Sequence, residues 1–243
     1  MKNHEGMNGM KLLVIDTSGP VCGVAVMDGD RVLSEQISQN RHTHSANLMP
    51  MVDASLFHAG CTLAEMDAVA VVTGPGSFTG VRIGVATARG LAHGSGKPCI
   101  GVNALEALSL SAGSFDGVIC PIQDARAGQV YGAAFMRGDR LLPDAPMKLE
   151  DFLAAAEKAA PGQEGRFLFV GDGAAVHRES IARIMGNRAV FLPGYLSILR
   201  PSAAGYLAMT KGEGVDYLTL KETYLRPPNA EKNKKLLEAM QHG

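Results

Sequence analysis

The sequence predicts an α/β fold of two related modules, each a mixed β-sheet flanked by helices, with the second module abbreviated. Three observations support this prediction. Short apolar segments of strand length alternate with longer segments that have helical periodicity. Both halves of the chain open with the same pattern of strand, turn, strand, turn and strand. Finally, 46% of the 243 residues are hydrophobic and 19% are charged, which is the composition of a globular protein.

The composition also excludes several functional classes. A formal net charge of -1 argues against a dedicated nucleic-acid binder, which needs a basic surface, although a local basic patch stays open. The four cysteines are scattered and form no CxxC pair, so we expect reduced core thiols rather than a zinc site or disulfides. No apolar run has the length of a membrane span, and residues 1–10 lack the apolar centre of a signal peptide. A cytoplasmic protein with no membrane association is therefore expected.

The first module is predicted over residues 11–114, after a flexible leader over residues 1–10. It opens with an antiparallel meander, because turn residues separate apolar segments at Lys11–Asp16, 21–27 and Arg31–Ser38. The hydrophobic period then changes from two residues to three or four, which indicates helices alternating with buried strands. The predicted elements are a helix at His44–Ala59, a strand at 67–73, a helix at about 80–93, a strand at 98–102 and a helix at 103–112.

The second module is predicted over residues 115–243, with the boundary at 111–116. It repeats the meander, and an aspartate again ends the first strand, so that Asp124 corresponds to Asp16. Its last helix is expected to pack back across the boundary. A polar tail follows, with a solvated or partner-induced helix at 231–238. The predicted elements are strands at 118–122, 129–136 and 140–142, a helix at 149–160, a strand at 166–170, a glycine turn at 171–173, a helix at 174–185, a short strand near Val190 and a helix at 202–211.

A duplicated meander with an aspartate ending its first strand indicates the fold shared by actin, sugar kinases and acetate kinase, an actin-like or ribonuclease-H-like (ASKHA) fold. In that fold the first turns of both halves hold nucleotide phosphates, the aspartates act through magnesium, and a later glycine turn meets the adenosine. The corresponding residues here are a degenerate nucleotide cleft of Asp16, Thr17, Ser18, Asp124, Gly171 and Gly173.

This cleft is called degenerate because no glycine directly follows Asp16, and glycine is what lets backbone approach phosphate closely. The alternative is that Asp16 and Asp124 only cap turns, which is a routine role of aspartate.

Residues 74–80 form a second glycine-rich turn, between a predicted strand and a helix. The turn is not a P-loop, because its sixth residue is Thr79 and no lysine follows. A helix start capped by Ser77 or Thr79 is favoured over an anion cradle, which stays open. His42, His44 and His58 are interpreted as polar surface residues rather than metal ligands, so no metal site is predicted.

The helix after this turn is apolar on nearly every side. Such a helix must be covered on more than one side, which predicts an interface with the helix at His44–Ala59, with a second protein, or with both. A stripe of small residues, one in every fourth position, would let another helix approach closely: Gly80, Gly84, Ala88 and Ala92.

Several segments together resemble the bacterial TsaB family, the dimerization subunit of the machinery that makes threonylcarbamoyladenosine in tRNA. The resemblance covers nearly the whole chain after the leader, and its most specific part is TGPGSFTGVRIGVATARG at 73–90. The family fold consists of two actin-like or ribonuclease-H-like modules. The other segments are IDTS at 15–18, RHTHSANLMP at 41–50, GV at 101–102, DAR at 124–126, VY at 130–131 and YLRP at 224–227.

The resemblance implies a non-catalytic subunit that binds and orders the catalytic threonylcarbamoyltransferase subunit, TsaD. The ATPase subunit TsaE is expected to join at the resulting junction, and contact with tRNA is expected to be indirect. The catalytic subunit carries an HxxxH metal pair, but the matching positions here are Ala104 and Leu108, which cannot bind metal. No catalytic residue and no cofactor are therefore expected, since ATP and magnesium would belong to the partner subunits.

The resemblance also implies which residues contact the partner. The helices at His44–Ala59 and 80–92 are expected to form a four-helix bundle with the same pair in TsaD, or a homodimer through that face when TsaD is absent. Val85→Arg is expected to abolish assembly and leave the fold intact. The implied partner-binding residues are Leu48, Met49, Met51, Val52, Ser55, Val81, Arg82, Gly84, Val85, Ala88, Arg89 and Ala92.

Two functions of other classes stay open. An independent actin-like ATPase or carbamoyltransferase would use Asp16 and Asp124, and its magnesium-dependent ATP turnover would be lost in Asp16→Asn. A degenerate glycoprotease-like metallopeptidase is the weaker alternative, because the sequence has neither the metal ligands nor an HExxH motif.

Overall fold

The computed structural model describes residues 9–40, 43–160 and 165–226. Three predicted features fall outside these residues: most of the leader over residues 1–10, the tail helix at 231–238, and His42. The described chain forms two five-stranded mixed sheets. The strands of the first sheet are β1 (Lys11–Asp16), β2 (Cys22–Asp28), β3 (Arg31–Ser38), β4 (Ala68–Gly74) and β5 (Cys99–Asn103).

The two sheets have the same topology. The first has the order β3-β2-β1-β4-β5, antiparallel among β1, β2 and β3 and parallel from β1 to β4 and β5. The second has the order β8-β7-β6-β9-β10 with the same directions. This duplication confirms the predicted fold class of two actin-like or ribonuclease-H-like modules. The strands of the second sheet are β6 (Val118–Asp124), β7 (Gln129–Met136), β8 (Asp139–Lys148), β9 (Phe167–Val170) and β10 (Ala189–Phe191).

Helices cover both sheets, so that the molecule has five layers. The helices α1 and α2 cover the outer face of the first sheet, α3 and α7 lie between the sheets, and α4, α5 and α6 cover the second sheet. The bounds are α1 (His44–Ala59), α2 (Phe78–Ser95), α3 (Ala104–Ser109), α4 (Leu149–Ala159), α5 (Asp172–Val176), α6 (Arg178–Met185) and α7 (Pro201–Lys211).

The alternation of side chains along β1 supplies two of the three cores. Leu12 and Val14 point between the sheets, whereas Leu13 and Ile15 point under α1 and α2. Because both faces of the strand are covered by helices, the strand is a continuous apolar run rather than an alternating one. The third core lies between the second sheet and its own helices.

The helix α7 packs on the first sheet, although it follows the second sheet in sequence. An added Cβ at Gly205 would lie 2.3 Å from Met27 Sδ, so the helix lies directly on β2. The carboxylate of Glu35 on β3 accepts hydrogen bonds from Arg200 Nε (3.0 Å) and Ser202 N (2.9 Å), which fixes the start of the helix. The two modules are therefore joined by shared packing as well as by the chain.

Two predicted elements differ from the structure by more than a few terminal residues. The strand predicted at 140–142 extends to Lys148 through Pro143 and Pro146. Proline is tolerated there because β8 is an edge strand, where one side of the backbone has no ladder bonds to lose. The helix predicted at 174–185 is divided at His177, whose φ of -104° and ψ of 13° leave the helical region.

Candidate functional site

A cleft of about 480 Å³ opens between the modules, beside the ends of β1 and β6. Its volume is that of a typical small-molecule site. Its walls come from the turn after β1, the start of α2, the turn after β6, one residue of α5 and the chain after α7. The lining residues are Ser18, Gly19, Pro20, Gly76, Ser77, Phe78, Thr79, Gln123, Asp124, Ala125, Arg126, Tyr131, Asp172, Thr223, Tyr224, Leu225 and Arg226.

Asp16 lies beneath this cleft rather than in it. Asp16 is only 1% exposed. Its Oδ1 accepts hydrogen bonds from Ser18 N (2.8 Å) and Ser18 Oγ (2.7 Å). Its Oδ2 is buried and has no hydrogen-bond partner. Burial raises the pKa of Asp16 to about 6, against the hydrogen bonds from Ser18. The carboxylate therefore fixes the turn after β1.

Asp124 makes the equivalent bond in the second module, since its Oδ1 accepts from Arg126 N at 3.0 Å. Unlike Asp16, it borders the cleft. Asp124 N donates to Asp172 Oδ2 at 3.3 Å, and His177 Nε2 lies 3.5 Å from Asp124 Oδ1. Burial, followed by the nearby charge of Asp124, raises the pKa of Asp172. The turn-capping interpretation thus describes the contacts of both strand-end aspartates.

The segment after β4 closes over the first turn. Ser77 N donates to Ser18 O at 2.7 Å, and Thr17 Oγ1 donates to Gly80 O at 2.7 Å. Added Cβ atoms at Gly76 and Gly80 would lie 2.2 Å and 2.1 Å from the carbonyl oxygens of Ser18 and Thr17. The glycines of the 74–80 segment are thus required for contact with the protein's own backbone, and Ser77 caps α2 as predicted.

These contacts do not fit a magnesium nucleotide at the first turn. The Ser18 N–H, which would face a phosphate, donates to Asp16 instead. Within residues 9–40, 43–160 and 165–226, no three His, Cys, Asp or Glu side chains are arranged to hold a metal ion. The ATPase alternative gains no support from this geometry.

The glycines predicted to meet an adenosine have a packing role in the structure. Gly171 has a φ of +104°, and a Cβ there would lie 2.3 Å from Ile122 O. A Cβ at Gly173 would lie 2.9 Å from the same oxygen. Both glycines are buried against the end of β6, and only Asp172 between them reaches the cleft.

The chain after α7 forms a strap, residues 213–226, that runs along α2 to the cleft. Val215 pairs with Cys99 at the edge of the first sheet, and Leu220 O accepts from the Arg89 guanidinium. Farther along, Tyr224 OH accepts from Arg82 Nε at 3.0 Å. The sequence at 224–227 resembles a family motif, but its role could not be predicted because contacts over more than 100 residues leave no local pattern.

The structure corrects the interpretation of the small-residue stripe. Gly84 faces Thr17, Ile15 and Val71 of its own module. The stripe is filled by the first sheet, and most of the implied partner-binding side chains are likewise buried inside the chain. The buried ones are Leu48, Met51, Val52, Ser55, Val81, Gly84, Val85, Ala88 and Ala92; Met49 and Arg82 are exposed and Arg89 is half-buried.

The expectation for Val85→Arg is corrected for the same reason. Val85 is 0% exposed in the core under α2, so an arginine there would place an unpaired charge among apolar side chains. The variant would lose its fold and could not report on assembly.

A different face of α1 and α2 is open. Ala86, Gly90 and Gly94 form a second small-residue stripe on α2; all are exposed, and nothing lies within 4 Å of a Cβ added at either glycine. On the adjacent α1, Met49 is 40% and Phe57 79% exposed. The sequence contained this stripe, but it has the same period as the buried one.

No helix within the described ranges combines the length and apolarity that crossing a membrane requires.

Comparisons with known proteins agree with the fold. A family model described as TsaD, tRNA N6-adenosine threonylcarbamoyltransferase, matches residues 31–210. The chain is 35% identical over 227 residues to the tRNA threonylcarbamoyladenosine biosynthesis protein TsaB of Bacillus subtilis, covering 91% of this chain and 96% of that protein. It is 37% identical over 132 residues to TsaB of Escherichia coli, covering 54% and 57%. The solved structure of YeaZ from Pseudomonas aeruginosa matches with a TM-score of 0.72 and 28% identity, covering 89% of this chain and 100% of that chain.

Proposed function

Since this chain belongs to the TsaB family and takes part in tRNA threonylcarbamoyladenosine biosynthesis, we propose that it acts there as a non-catalytic scaffold subunit. In this proposal the chain binds and orders the catalytic threonylcarbamoyltransferase subunit, TsaD, through the outer face of α1 and α2. TsaE joins at the junction, tRNA is contacted mainly by the partners, and a homodimer forms through the same face when the chain is alone. ATP and magnesium belong to the partner subunits.

The observation that carries the proposal is the open face of α1 and α2. The small residues Ala86, Gly90 and Gly94 let a partner helix approach the α2 backbone closely, as small residues at helix interfaces do. On the neighbouring helix α1, Phe57 exposes a large apolar surface, which is typical of an interface. A family model of the catalytic subunit matches this chain over residues 31–210. Two chains of one fold can pair through equivalent faces with approximate two-fold symmetry, which supports both the heterodimer and the homodimer.

A matched pair of variants tests the interface. Ala86→Arg places a bulky charge on the open face of α2, where a partner helix would pass. Ala154→Arg makes the same change at an exposed position of α4, which covers the other sheet. Both side chains point to solvent in the isolated chain, so both variants are expected to keep the far-UV circular dichroism and urea midpoint of the wild type.

We expect Ala86→Arg to weaken binding of the purified catalytic subunit by at least about tenfold, which is the effect of losing a residue at the centre of an interface. Ala154→Arg is expected to leave the binding unchanged. Light scattering of the isolated chain is expected to show a dimer for the wild type and a monomer for Ala86→Arg. An Ala86→Arg variant that binds as tightly as the wild type would refute this interface.

The non-catalytic role is tested by omission. tRNA threonylcarbamoylation is measured with purified components, leaving out this chain or the catalytic subunit in turn. Activity that requires both, with none from this chain alone, is the expected result. Modification or magnesium-dependent ATP turnover by this chain alone, lost in Asp16→Asn, would replace the proposal by the ATPase alternative.

A further inference from the structure

One wall of the cleft between the modules is the start of a long helix. The 18-residue helix α2 begins there at Phe78, and its first turn contains no acidic residue. The backbone N–H groups of Phe78 and Thr79 donate to no acceptor within the described chain. Free N–H groups at the start of a long helix carry partial positive charge and bind oxyanions.

Two arginines also border the cleft. Arg126 is exposed on the turn after β6, and Arg226 ends the strap, where its Nη1 lies 3.5 Å from Ala125 O. Neither guanidinium forms an ion pair with a residue in the described part of the chain. Guanidinium groups bind carboxylate and phosphate through charge-assisted hydrogen bonds.

An unpartnered polar side chain lies in the same cleft. Gln123 is only 5% exposed and lines the cleft, yet its Oε1 has no hydrogen-bond partner. A buried amide oxygen without a donor costs free energy, which rotation of this side-chain amide toward a ligand hydroxyl or amino group would recover. Asp124 and Asp172 also line the cleft and are further acceptors.

We propose that this cleft binds a small oxyanion, a carboxylate or a phosphate ester, that also carries hydroxyl or amino groups. The oxyanion lies at the start of α2 with Arg126 and Arg226. The hydroxyl or amino groups of the ligand donate to Gln123, Asp124 and Asp172. This site is additional to the scaffold role. It differs from a magnesium-nucleotide site because the anion is held by α2 and the arginines and not by the turn after β1.

The test is a titration of the full chain followed by backbone amide NMR. The three probes are inorganic phosphate, AMP as a phosphate ester with hydroxyl groups, and L-threonine as a carboxylate with amino and hydroxyl groups. We expect saturable shifts of the Phe78 and Thr79 amides and of the Gln123 side-chain amide with at least one of the two organic probes. Which probe binds distinguishes a phosphate from a carboxylate ligand. No saturable shift at these groups up to about 10 mM, where a Kd of 1 mM is nearly saturated, overturns the proposal, as does binding of inorganic phosphate alone.

Two arginines in left-handed backbone supply a matched pair of variants. Arg126 has a φ of +63° and Arg137, on another turn, a φ of +52°. Glycine suits this conformation better than arginine, so Arg126→Gly and Arg137→Gly are both expected to fold. Arg126→Gly should weaken binding by about tenfold, through loss of one charge-assisted hydrogen bond, and Arg137→Gly should not. Equal affinities of Arg126→Gly and the wild type would overturn the assignment. Binding of the catalytic subunit is measured on the same samples, so failure of this site is distinguishable from failure of the scaffold role.

Discussion

Two glycines of α2 that look alike in the sequence should respond to alanine in opposite directions. At Gly80 an added Cβ would lie 2.1 Å from Thr17 O, whereas at Gly90 nothing lies within 4 Å. Gly80→Ala therefore requires the start of α2 to move by roughly 1 Å from β1 to restore an ordinary contact. Gly90→Ala requires no movement and gains helix propensity.

The magnitude follows from the contacts at the start of α2. A shift of this size disturbs the hydrogen bond from Ser77 N to Ser18 O and the one from Thr17 Oγ1 to Gly80 O, both 2.7 Å. Each contributes about 1 kcal/mol, and overpacking adds about 1–3 kcal/mol. Against a propensity gain of up to about 1 kcal/mol, we expect Gly80→Ala to lower the free energy of unfolding by about 2–4 kcal/mol. Gly90→Ala should raise it by about 0.5–1 kcal/mol.

Urea unfolding followed by circular dichroism measures both variants under one set of conditions. Because the isolated chain is proposed to dimerise through the face that contains Gly90, the comparison is made at several protein concentrations. If Gly80→Ala lies within about 0.5 kcal/mol of the wild type, below the effect of a typical buried contact, the packing of α2 on the first turn is not as described.

Three further predictions concern stability. Burial raises the pKa of Asp16 to about 6, so the unfolded chain releases this proton first as the pH rises from about 4 to 6. Across that window the free energy of unfolding of the wild type should fall by up to about 3 kcal/mol relative to that of Asp16→Asn. Urea unfolding of both proteins at pH 4 and 8 checks this, and parallel pH profiles would contradict it. Gly171→Ala should destabilise the fold by more than about 3 kcal/mol, because left-handed backbone is combined with a 2.3 Å contact between the added Cβ and Ile122 O. Gly128 is also left-handed but lies in open space, so Gly128→Ala should cost only about 1–2 kcal/mol. Similar thermal midpoints of the two variants would refute the packing role of Gly171. Glu35→Ala should cost about 2–3 kcal/mol at neutral pH by leaving Arg200 and the start of α7 unpaired. Although burial opposes it, the Arg200 hydrogen bond lowers the pKa of Glu35, so this stabilisation is present above the ordinary glutamate pKa and should fade as the pH falls through the lowered value, which urea unfolding at pH 7 and 3 measures.

The strand and helix pattern of this protein could be predicted because each element carries a local signal. The apolar run at Lys11–Asp16 and the turns around it predict the meander, and the repeat of Asp16 at Asp124 predicts the second copy. The two misplaced bounds, at β8 and at His177, come from rules that are correct locally. Proline ends most strands, and only the position of β8 at a sheet edge makes it tolerable.

The sequence by itself determined the fold class and the family. It did not determine which side of α2 is inside, because Gly80-Gly84-Ala88 and Ala86-Gly90-Gly94 have the same period and similar side chains. The tertiary structure decided this by placing the turn after β1 against one stripe at distances that exclude a Cβ. It likewise decided that the glycines predicted to meet an adenosine serve backbone packing. It also decided that Gln123, Arg126 and Arg226 line one cleft. Contacts between residues distant in sequence depend on how the sheets and helices pack, and no local pattern encodes them.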